Sequence, residues 1–93
     1  MAIRSFACRH TELLYETGRN RRFQGIAGVA LRKLDMLDAA RVLNDLRAPP
    51  GNRLEALAGD RAGQHSIRVN EQWRLCFRWT ANGPAAVEIV DYH

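Results

Sequence analysis

The fold is indicated most strongly by the C-terminal stretch QWRLCFRWTANGPAAVEIVDYH, residues 72–93. Its apolar side chains recur at every second position, which is the period of a half-buried strand: Trp73, Leu75, Phe77 and Trp79. Residues 81–84 supply turn chemistry, because Asn82-Gly83 tolerates positive φ. Residues 86–92 form a second apolar run. The stretch therefore predicts two antiparallel strands joined by a tight turn.

Two further strands are expected upstream. Residues 64–69 alternate with Ile67 and Val69 on one side, which predicts a half-buried strand. Residues 3–7 predict a short first strand at the other end of the chain. Between them, Leu54 and Leu57 flank a loop or short extended segment.

Two helices are predicted between the first strand and the rest of the sheet. Thr11 is the expected N-cap of the first helix, which runs to Thr17 and stops at Gly18. The second helix has apolar residues at three- and four-residue spacing: Ile26, Val29, Ala30, Leu34, Leu37 and Ala40. Leu43 and Leu46 continue this pattern until Pro49-Pro50-Gly51 ends helix formation.

The predicted architecture is α+β with the order β-α-α-β-β-β, in which two N-terminal helices pack on one face of a small antiparallel sheet. A chain of 93 residues is expected to form one domain, residues 1–93. A helix-turn-helix interpretation of residues 10–47 would leave the sheet half of the chain unexplained.

Composition restricts the class of protein. No apolar run reaches about 18 residues and no signal peptide is evident, so we expect no membrane segment and a cytoplasmic location. Cys8 and Cys76 lack metal-site spacing and are interpreted as small buried apolar residues. The net charge is +4, and Lys33 is the only lysine among 14 basic residues. Arginine engages phosphate in bidentate fashion, although a G+C-rich genome would produce the same bias.

An arginine-lined sheet face is the first candidate for function. Arg68, Arg74 and Arg78 are predicted to point to the face opposite the helices. Neighbouring cations repel, so an open face of this kind is easier to explain if a polyanion neutralises it. The alternative is an ordinary solvated face balanced by Glu71 and Glu88.

The C-terminal tripeptide Asp91-Tyr92-His93 is the second candidate. An imidazole is a suitable general acid or base near neutral pH, so His93 is the leading proton-transfer group. Cleavage of a phosphodiester by its 2′-hydroxyl needs a base, an acid and a cation on the phosphate. Arg74 would bind that phosphate, and Glu55 or Asp91 would be the carboxylate partner. Tyr92 would donate to a phosphate or stack on a base, or else pack structurally at the sheet edge.

At these residues the chain resembles the HigB-type toxins, also called plasmid-maintenance killer proteins, of the RelE/ParE toxin superfamily. The resemblance covers the C-terminal half in detail and the full chain in length and helix order. The elements that carry it are Pro50-Gly51-Asn52-Arg53-Leu54-Glu55, Gly59-Asp60-Arg61, Gln64-His65-Ser66-Ile67-Arg68-Val69-Asn70, Gln72-Trp73-Arg74 and Val87-Glu88-Ile89-Val90-Asp91-Tyr92-His93.

This resemblance implies a ribosome-dependent, metal-independent mRNA endonuclease without a cofactor, which cuts messages in the decoding site. It also implies inhibition by a HigA-type antitoxin with a helix-turn-helix domain. Four residues match functional positions of the family: Arg74, Asp91, Tyr92 and His93. The other expected contacts to RNA or the bacterial ribosome are Arg53, Arg61, Arg68 and Arg78.

Two positions depart from the family pattern. Some members have His where this chain has Glu55, and a basic residue where it has Ala58. A charge-assisted contact to phosphate is worth about 1.5–3 kcal/mol, so its absence at Ala58 would slow cleavage unless Arg53 or Arg61 replaces it. A catalytically weak protein that binds ribosome or RNA and acts as antitoxin partner and corepressor is therefore the alternative. A gyrase poison on the same fold is disfavoured by Asp91-Tyr92-His93.

Overall fold

The computed structural model describes residues 2–91, in which two helices pack against a four-stranded sheet. All neighbouring strands are antiparallel and follow the order β1-β2-β3-β4. The elements are α1 (Arg9–Thr17), α2 (Ala27–Ala39), β1 (Glu55–Ala56), β2 (His65–Arg68), β3 (Trp73–Thr80) and β4 (Gly83–Asp91). The predicted α+β class is confirmed.

The predicted N-terminal strand is reduced to a single bridge. Phe6 forms one parallel bridge with Val87, flanked by hydrogen bonds from Ala7 N–H to Val87 O at 2.9 Å and from Val87 N–H to Ser5 O at 3.1 Å. A register shift between β3 and β4 accompanies Ala86 at φ 51, and Ala86 N–H donates to Ser5 Oγ instead of continuing a ladder. This irregularity prevents residues 3–7 from pairing as a regular strand.

The first helix begins earlier than predicted. It starts at Arg9, and Thr11 is fully buried inside it, so Thr11 is not the N-cap. The Thr11 hydroxyl instead accepts a hydrogen bond from Ile89 N–H on β4 at 3.0 Å. The predicted stop is confirmed, because Gly18 has φ 77 and donates its N–H to Leu14 O at 2.8 Å.

The second helix ends at Ala39 rather than continuing toward the prolines. Asp45 explains the interruption, because its Oδ2 accepts hydrogen bonds from the backbone N–H groups of Arg41 at 2.9 Å and Val42 at 3.2 Å. These hydrogen bonds lower the pKa of Asp45. They also begin a separate 3₁₀ helix, Leu43–Arg47, which keeps Leu46 in the core.

The core lies between the helices and one face of the sheet. Its helical side and its sheet side are both apolar, as the alternation and the helical spacing predicted. The largest buried contributors are Leu14, Phe23, Leu34, Leu37, Leu46, Ile67, Leu75, Phe77 and Val87. Within residues 2–91, no helix combines the length and apolarity needed to cross a bilayer.

Candidate active site

Arg74 is held on the sheet face opposite the helices by oxygen atoms. Its Nε donates to Ser66 Oγ at 2.8 Å, and its Nη2 donates to Arg53 O at 2.8 Å and to Ser66 O at 3.4 Å. Only 8% of Arg74 is exposed, so the expectation of an open arginine face is wrong at its central residue. The guanidinium is therefore oriented before any ligand binds.

Two more arginines surround Arg74 in a cleft of about 320 Å³. We call this the arginine cleft; it is lined by Arg53, Arg68, Asn70, Glu71 and Arg74. Arg68 is directly opposite Arg74 in the β2–β3 pairing, which is an unfavourable position for two cations. The cleft therefore concentrates positive charge at a site large enough for a phosphate group, with Glu71 as its acidic member.

Arg53 contributes to this cleft through its backbone as well as its side chain. It lies in the left-handed region, with φ 46 and ψ 54, at the end of the short 3₁₀ helix Pro50–Asn52. A non-glycine residue in this region costs about 1–2 kcal/mol, so the surrounding structure must impose it. The preceding residue, Asn52, is fully buried and fixed, because its Nδ2 donates to Leu46 O and Ala48 O at 3.1 and 3.3 Å.

Lys33 adds a further positive charge near Arg68. Its Nζ donates to Asn52 Oδ1 at 2.6 Å. Burial, followed by the positive charges of Arg32 and Arg68, lowers the pKa of Lys33. Sequence reasoning missed Lys33, Asn52 and the anchoring role of Ser66. Only Ser66 gave a signal, since alternation placed it on the same strand face as Arg68.

Glu55, the first of the two carboxylates considered from the sequence, lies beside the cleft. Its Oε1 is 3.5 Å from Arg74 Nη2, while 47% of its side chain is exposed. Glu55, Ser66, Cys76 and Glu88 form a row of directly paired residues across all four strands. The row ends in two glutamates, of which Glu55 lies next to Arg74. Its side chain remains accessible to solvent and to a ligand.

Two of the predicted RNA-binding arginines lie away from the arginine cleft. Arg61 Nη1 is 2.7 Å from Glu88 Oε1 and donates to Gln64 Oε1 at 3.1 Å, and the hydrogen bond to Glu88 raises the pKa of Arg61. Arg78 is exposed, and its Nη1 lies next to Gly63. Arg61 therefore balances the charge of Glu88, and it lines a separate cleft together with Glu55 and Ala58.

The Arg61 segment also lies close to Cys76, which is completely buried. Burial raises the pKa of the Cys76 thiol. Both cysteines are free thiols, and Cys8 is half-buried. Cys76 therefore matches its predicted role as a buried apolar residue, and Cys8 does so only in part. Among residues 2–91, no group of three or more His, Cys, Asp or Glu side chains is placed to hold a metal ion.

Asp91 lies at the end of β4, opposite Trp73 and next to the residue that pairs with Arg74. Its Oδ2 accepts a hydrogen bond from Gln72 Nε2 at 3.0 Å, and Asp91 is exposed. The predicted catalytic residues Tyr92 and His93 lie outside the described residues. Of the predicted site, the described part thus brings Arg53, Arg68, Arg74 and Glu55 together, with Asp91 at the end of the adjoining strand.

Comparison with known proteins identifies relatives over nearly the whole chain. The family model for the RelE-like toxin HigB of type II toxin–antitoxin systems matches residues 4–93. Toxin HigB-1 of Vibrio cholerae is 45% identical over 84 residues, covering 88% of this chain and 87% of that protein. An uncharacterized protein of Haemophilus influenzae is 48% identical over 54 residues, covering 58% and 54% respectively.

A solved structure supports the fold. The YoeB/ParE toxin from Agrobacterium tumefaciens superposes with a TM-score of 0.52 and 19% identity, covering 100% of this chain and 99% of the other. At this level of identity the likeness concerns the arrangement of helices and strands alone.

Proposed function

Because the chain belongs to the HigB family of RelE-like toxins of type II toxin–antitoxin systems, we propose that it cleaves translated mRNA in the ribosomal decoding site. The observation that carries this proposal is the orientation of Arg74 by Ser66 and Arg53 inside the arginine cleft. A buried guanidinium is costly unless it is compensated. Ser66 and Arg53 supply acceptors to this guanidinium, and a phosphate bound in the arginine cleft would add charge-assisted hydrogen bonds.

The proposed reaction is attack by the 2′-hydroxyl on the neighbouring phosphorus atom. A base removes the 2′-hydroxyl proton, O2′ bonds to phosphorus, and the bond to the 5′ oxygen breaks. An acid then gives that oxygen a proton, which leaves a 2′,3′-cyclic phosphate and a 5′-hydroxyl. Arg74 neutralises charge on the phosphate, and Arg53 and Arg68 hold the flanking backbone. This chemistry uses the chain's own groups, and metal independence is part of the proposal.

We assign proton transfer to His93, with Glu55 or Asp91 as the carboxylate partner and Tyr92 as a phosphate or base contact. The proximity of Glu55 Oε1 to Arg74 Nη2, at 3.5 Å, supports the first carboxylate. The position of Asp91 two residues before His93 supports the second. The predicted partners are a HigA-type antitoxin, the bacterial ribosome and mRNA, so the proposed place of action is the cytoplasm.

A weak or inactive nuclease that mainly binds its partners is the second candidate. The observation in its favour is Ala58, which lines the cleft beside Glu55 where some family members carry a basic residue. Arg61 lines the same cleft, but its guanidinium already forms an ion pair with the Glu88 carboxylate. Binding without cleavage would follow if that missing cation limits the rate.

Primer extension on ribosomes programmed with a defined message tests the proposal. The wild-type chain is compared with Arg74→Lys, Arg74→Ala and His93→Ala, and the exposed Arg41→Ala serves as the matched control. We expect cuts in the decoding-site codon only when ribosomes are present, retained in Arg41→Ala and strongly reduced in the other three. Thermal unfolding of each variant separates loss of activity from loss of fold.

The second candidate predicts a different result in the same assay. The protein would then sediment with ribosomes but leave the message intact in wild type and in every variant. Restoring a cation with Ala58→Lys would be expected to produce cuts at the decoding site. Absence of both cuts and ribosome binding would contradict both candidates.

A further inference from the structure

A second cleft borders the short strand β1 and shares Glu55 with the candidate active site. Its volume is about 330 Å³, and its walls include Leu43, Arg47, Leu54 and His65 as well as Glu55. Glu55 is also the carboxylate that lies 3.5 Å from Arg74. Glu55 therefore borders both this cleft, which we call the β1 cleft, and the guanidinium assigned to the phosphate.

The walls of the β1 cleft suit a flat ring. Leu43 and Leu54 are partly buried and pack against the core, so they present apolar surface. The His65 imidazole is fixed against Phe77, with ring centroids 6.4 Å apart and an interplanar angle of 23°. His65 is partly exposed and lines the cleft, and its Nδ1 is buried without a hydrogen-bond partner within residues 2–91. Nucleobases stack on such apolar and aromatic walls.

The polar groups of the β1 cleft are mainly donors. Arg47 Nε donates to Asn44 Oδ1 at 2.7 Å, which orients the guanidinium and uses the acceptor of the Asn44 amide. Within residues 2–91, the terminal N–H groups of Arg47 and the Nδ2 of Asn44 make no hydrogen bond. An occupant that presents acceptors at its edge would therefore find donors on Arg47 and Asn44. The Glu55 carboxylate on the rim disfavours an anionic occupant.

We propose that the β1 cleft binds a guanine base of the mRNA, in the nucleotide adjoining the one cut at Arg74. Guanine offers the O6 and N7 acceptor pair that an arginine fork engages in bidentate fashion, and its faces suit the leucine and histidine walls. This inference rests on the proposed function. It makes Arg47 the determinant of sequence preference and His65 the stacking platform, and neither residue takes part in proton transfer.

A titration away from the ribosome tests the cleft by itself. NMR spectra of the whole protein are recorded with increasing GMP or CMP, following the Arg47 Nε and His65 signals. We expect GMP to bind at least about fivefold more tightly than CMP, the low end of what one bidentate base contact provides. Arg47→Ala should abolish this preference, and Arg41→Ala should retain it. Both nucleotides carry one phosphate, so phosphate binding at the arginine cleft contributes equally to the two affinities and does not affect their ratio.

Cut mapping on programmed ribosomes tests the same site in the reaction. Wild-type cuts should be enriched for guanine at one fixed position beside the cut, and Arg47→Ala should lose that enrichment while Arg41→Ala keeps it. An unchanged cut distribution in Arg47→Ala overturns the guanine site and leaves the nuclease standing. If no variant cuts, the proposed function fails, and the titration still decides the inference, because equal binding of GMP and CMP overturns it.

Discussion

Arg74 is oriented by a serine hydroxyl and a backbone carbonyl, so its donors are in place before any ligand binds. Enzymes gain most from charges that need no reorganisation during the reaction. The sequence identified Arg74 through its position in the C-terminal strand pattern. It could not identify the burial of Arg74, because that depends on the carbonyl of Arg53, 21 positions away, and on the left-handed turn that delivers it.

Ser66→Ala should lower the free energy of unfolding by about 1–3 kcal/mol, because a buried Arg74 N–H would be left without its acceptor. Urea denaturation measures the change. Ser5→Ala is the matched control, since Ser5 Oγ also accepts one hydrogen bond, from Ala86 N–H, but is exposed and distant from the cleft. Equal destabilisation of the two variants would show that Ser66 does not anchor Arg74.

Cys76 should resist alkylation while the protein is folded, because its thiol is buried and burial raises its pKa above the ordinary value of 9.0. Mass spectrometry after iodoacetamide treatment at about pH 8.5 should find the modification at Cys8 and not at Cys76, the latter reacting only in denaturant. Since the folded-state pKa is raised, the contribution of Cys76 to stability is fully present below pH 9.0 and is lost as the pH rises through the folded value. Rapid native modification of Cys76 would mean that the Arg61 segment opens readily.

The helices and strands were predicted well where the hydrophobic period was long, as in α2, β3 and β4. The errors occurred where a side chain forms hydrogen bonds with the backbone of a different segment of the chain. Thr11 matched an N-cap pattern, but its hydroxyl accepts from Ile89 N–H, 78 positions later. The end of α2 was missed because Asp45 binds the backbone of Arg41 and Val42 from the next turn. Local patterns do not contain such partners.

Thr11→Val should destabilise the fold by about 1–3 kcal/mol, because it keeps the side-chain shape but leaves Ile89 N–H buried without an acceptor. The matched control is Thr17→Val, in which the hydroxyl is exposed and bonds only to nearby backbone, donating to Leu13 O and Arg19 O and accepting from Arg19 N–H. The difference in urea midpoint between the two variants measures how much the hydrogen bond between α1 and β4 contributes to stability. A midpoint for Thr11→Val equal to that for Thr17→Val would contradict it.

Gly18→Ala should cost roughly 1–2 kcal/mol, since φ 77 at the end of α1 is a conformation that a Cβ disfavours. Gly28→Ala is the contrasting substitution, because Gly28 lies inside α2 and the position of an added Cβ is open space. There the change should raise stability by up to about 1 kcal/mol through helix propensity. Thermal unfolding of both variants tests these two expectations. A Gly18→Ala protein as stable as wild type would contradict the assigned helix end.

Taken as a whole, the molecule places its helices on one side of the sheet, the β1 cleft at the edge strand β1 and the arginine cleft around Arg74. The order of the long strands followed from the sequence, whereas the clefts did not. The walls of the β1 cleft come largely from residues 43–56. Apolar spacing predicted a continued helix up to Pro49-Pro50-Gly51 and then a loop or short extended segment, and the structure has two 3₁₀ helices followed by the edge strand β1. The arginine bias of the composition corresponds, in the structure, to three arginines that line one cleft.

The proposed binding mode predicts how salt weakens association with ribosomes. Removing one cation that binds a phosphate should reduce the slope of log affinity against log salt by about 0.7, the value for single-stranded nucleic acid. Arg53→Ala and Arg68→Ala should each produce this reduction, because both line the arginine cleft. Arg41→Ala, which is exposed and outside the cleft, should leave the slope unchanged. Unchanged slopes in all three variants would remove the arginine cleft from the binding surface.

The decisive experiment replaces a single nucleotide in the message. Ribosomes are programmed with an mRNA that carries one 2′-deoxynucleotide on the 5′ side of the mapped cut, and cleavage is compared with the all-ribose message. The account predicts that the deoxy substitution abolishes that cut and that the normal 5′ product ends in a 2′,3′-cyclic phosphate. Undiminished cleavage of the deoxy message would contradict attack by the 2′-hydroxyl and, with it, the roles given to Arg74 and His93.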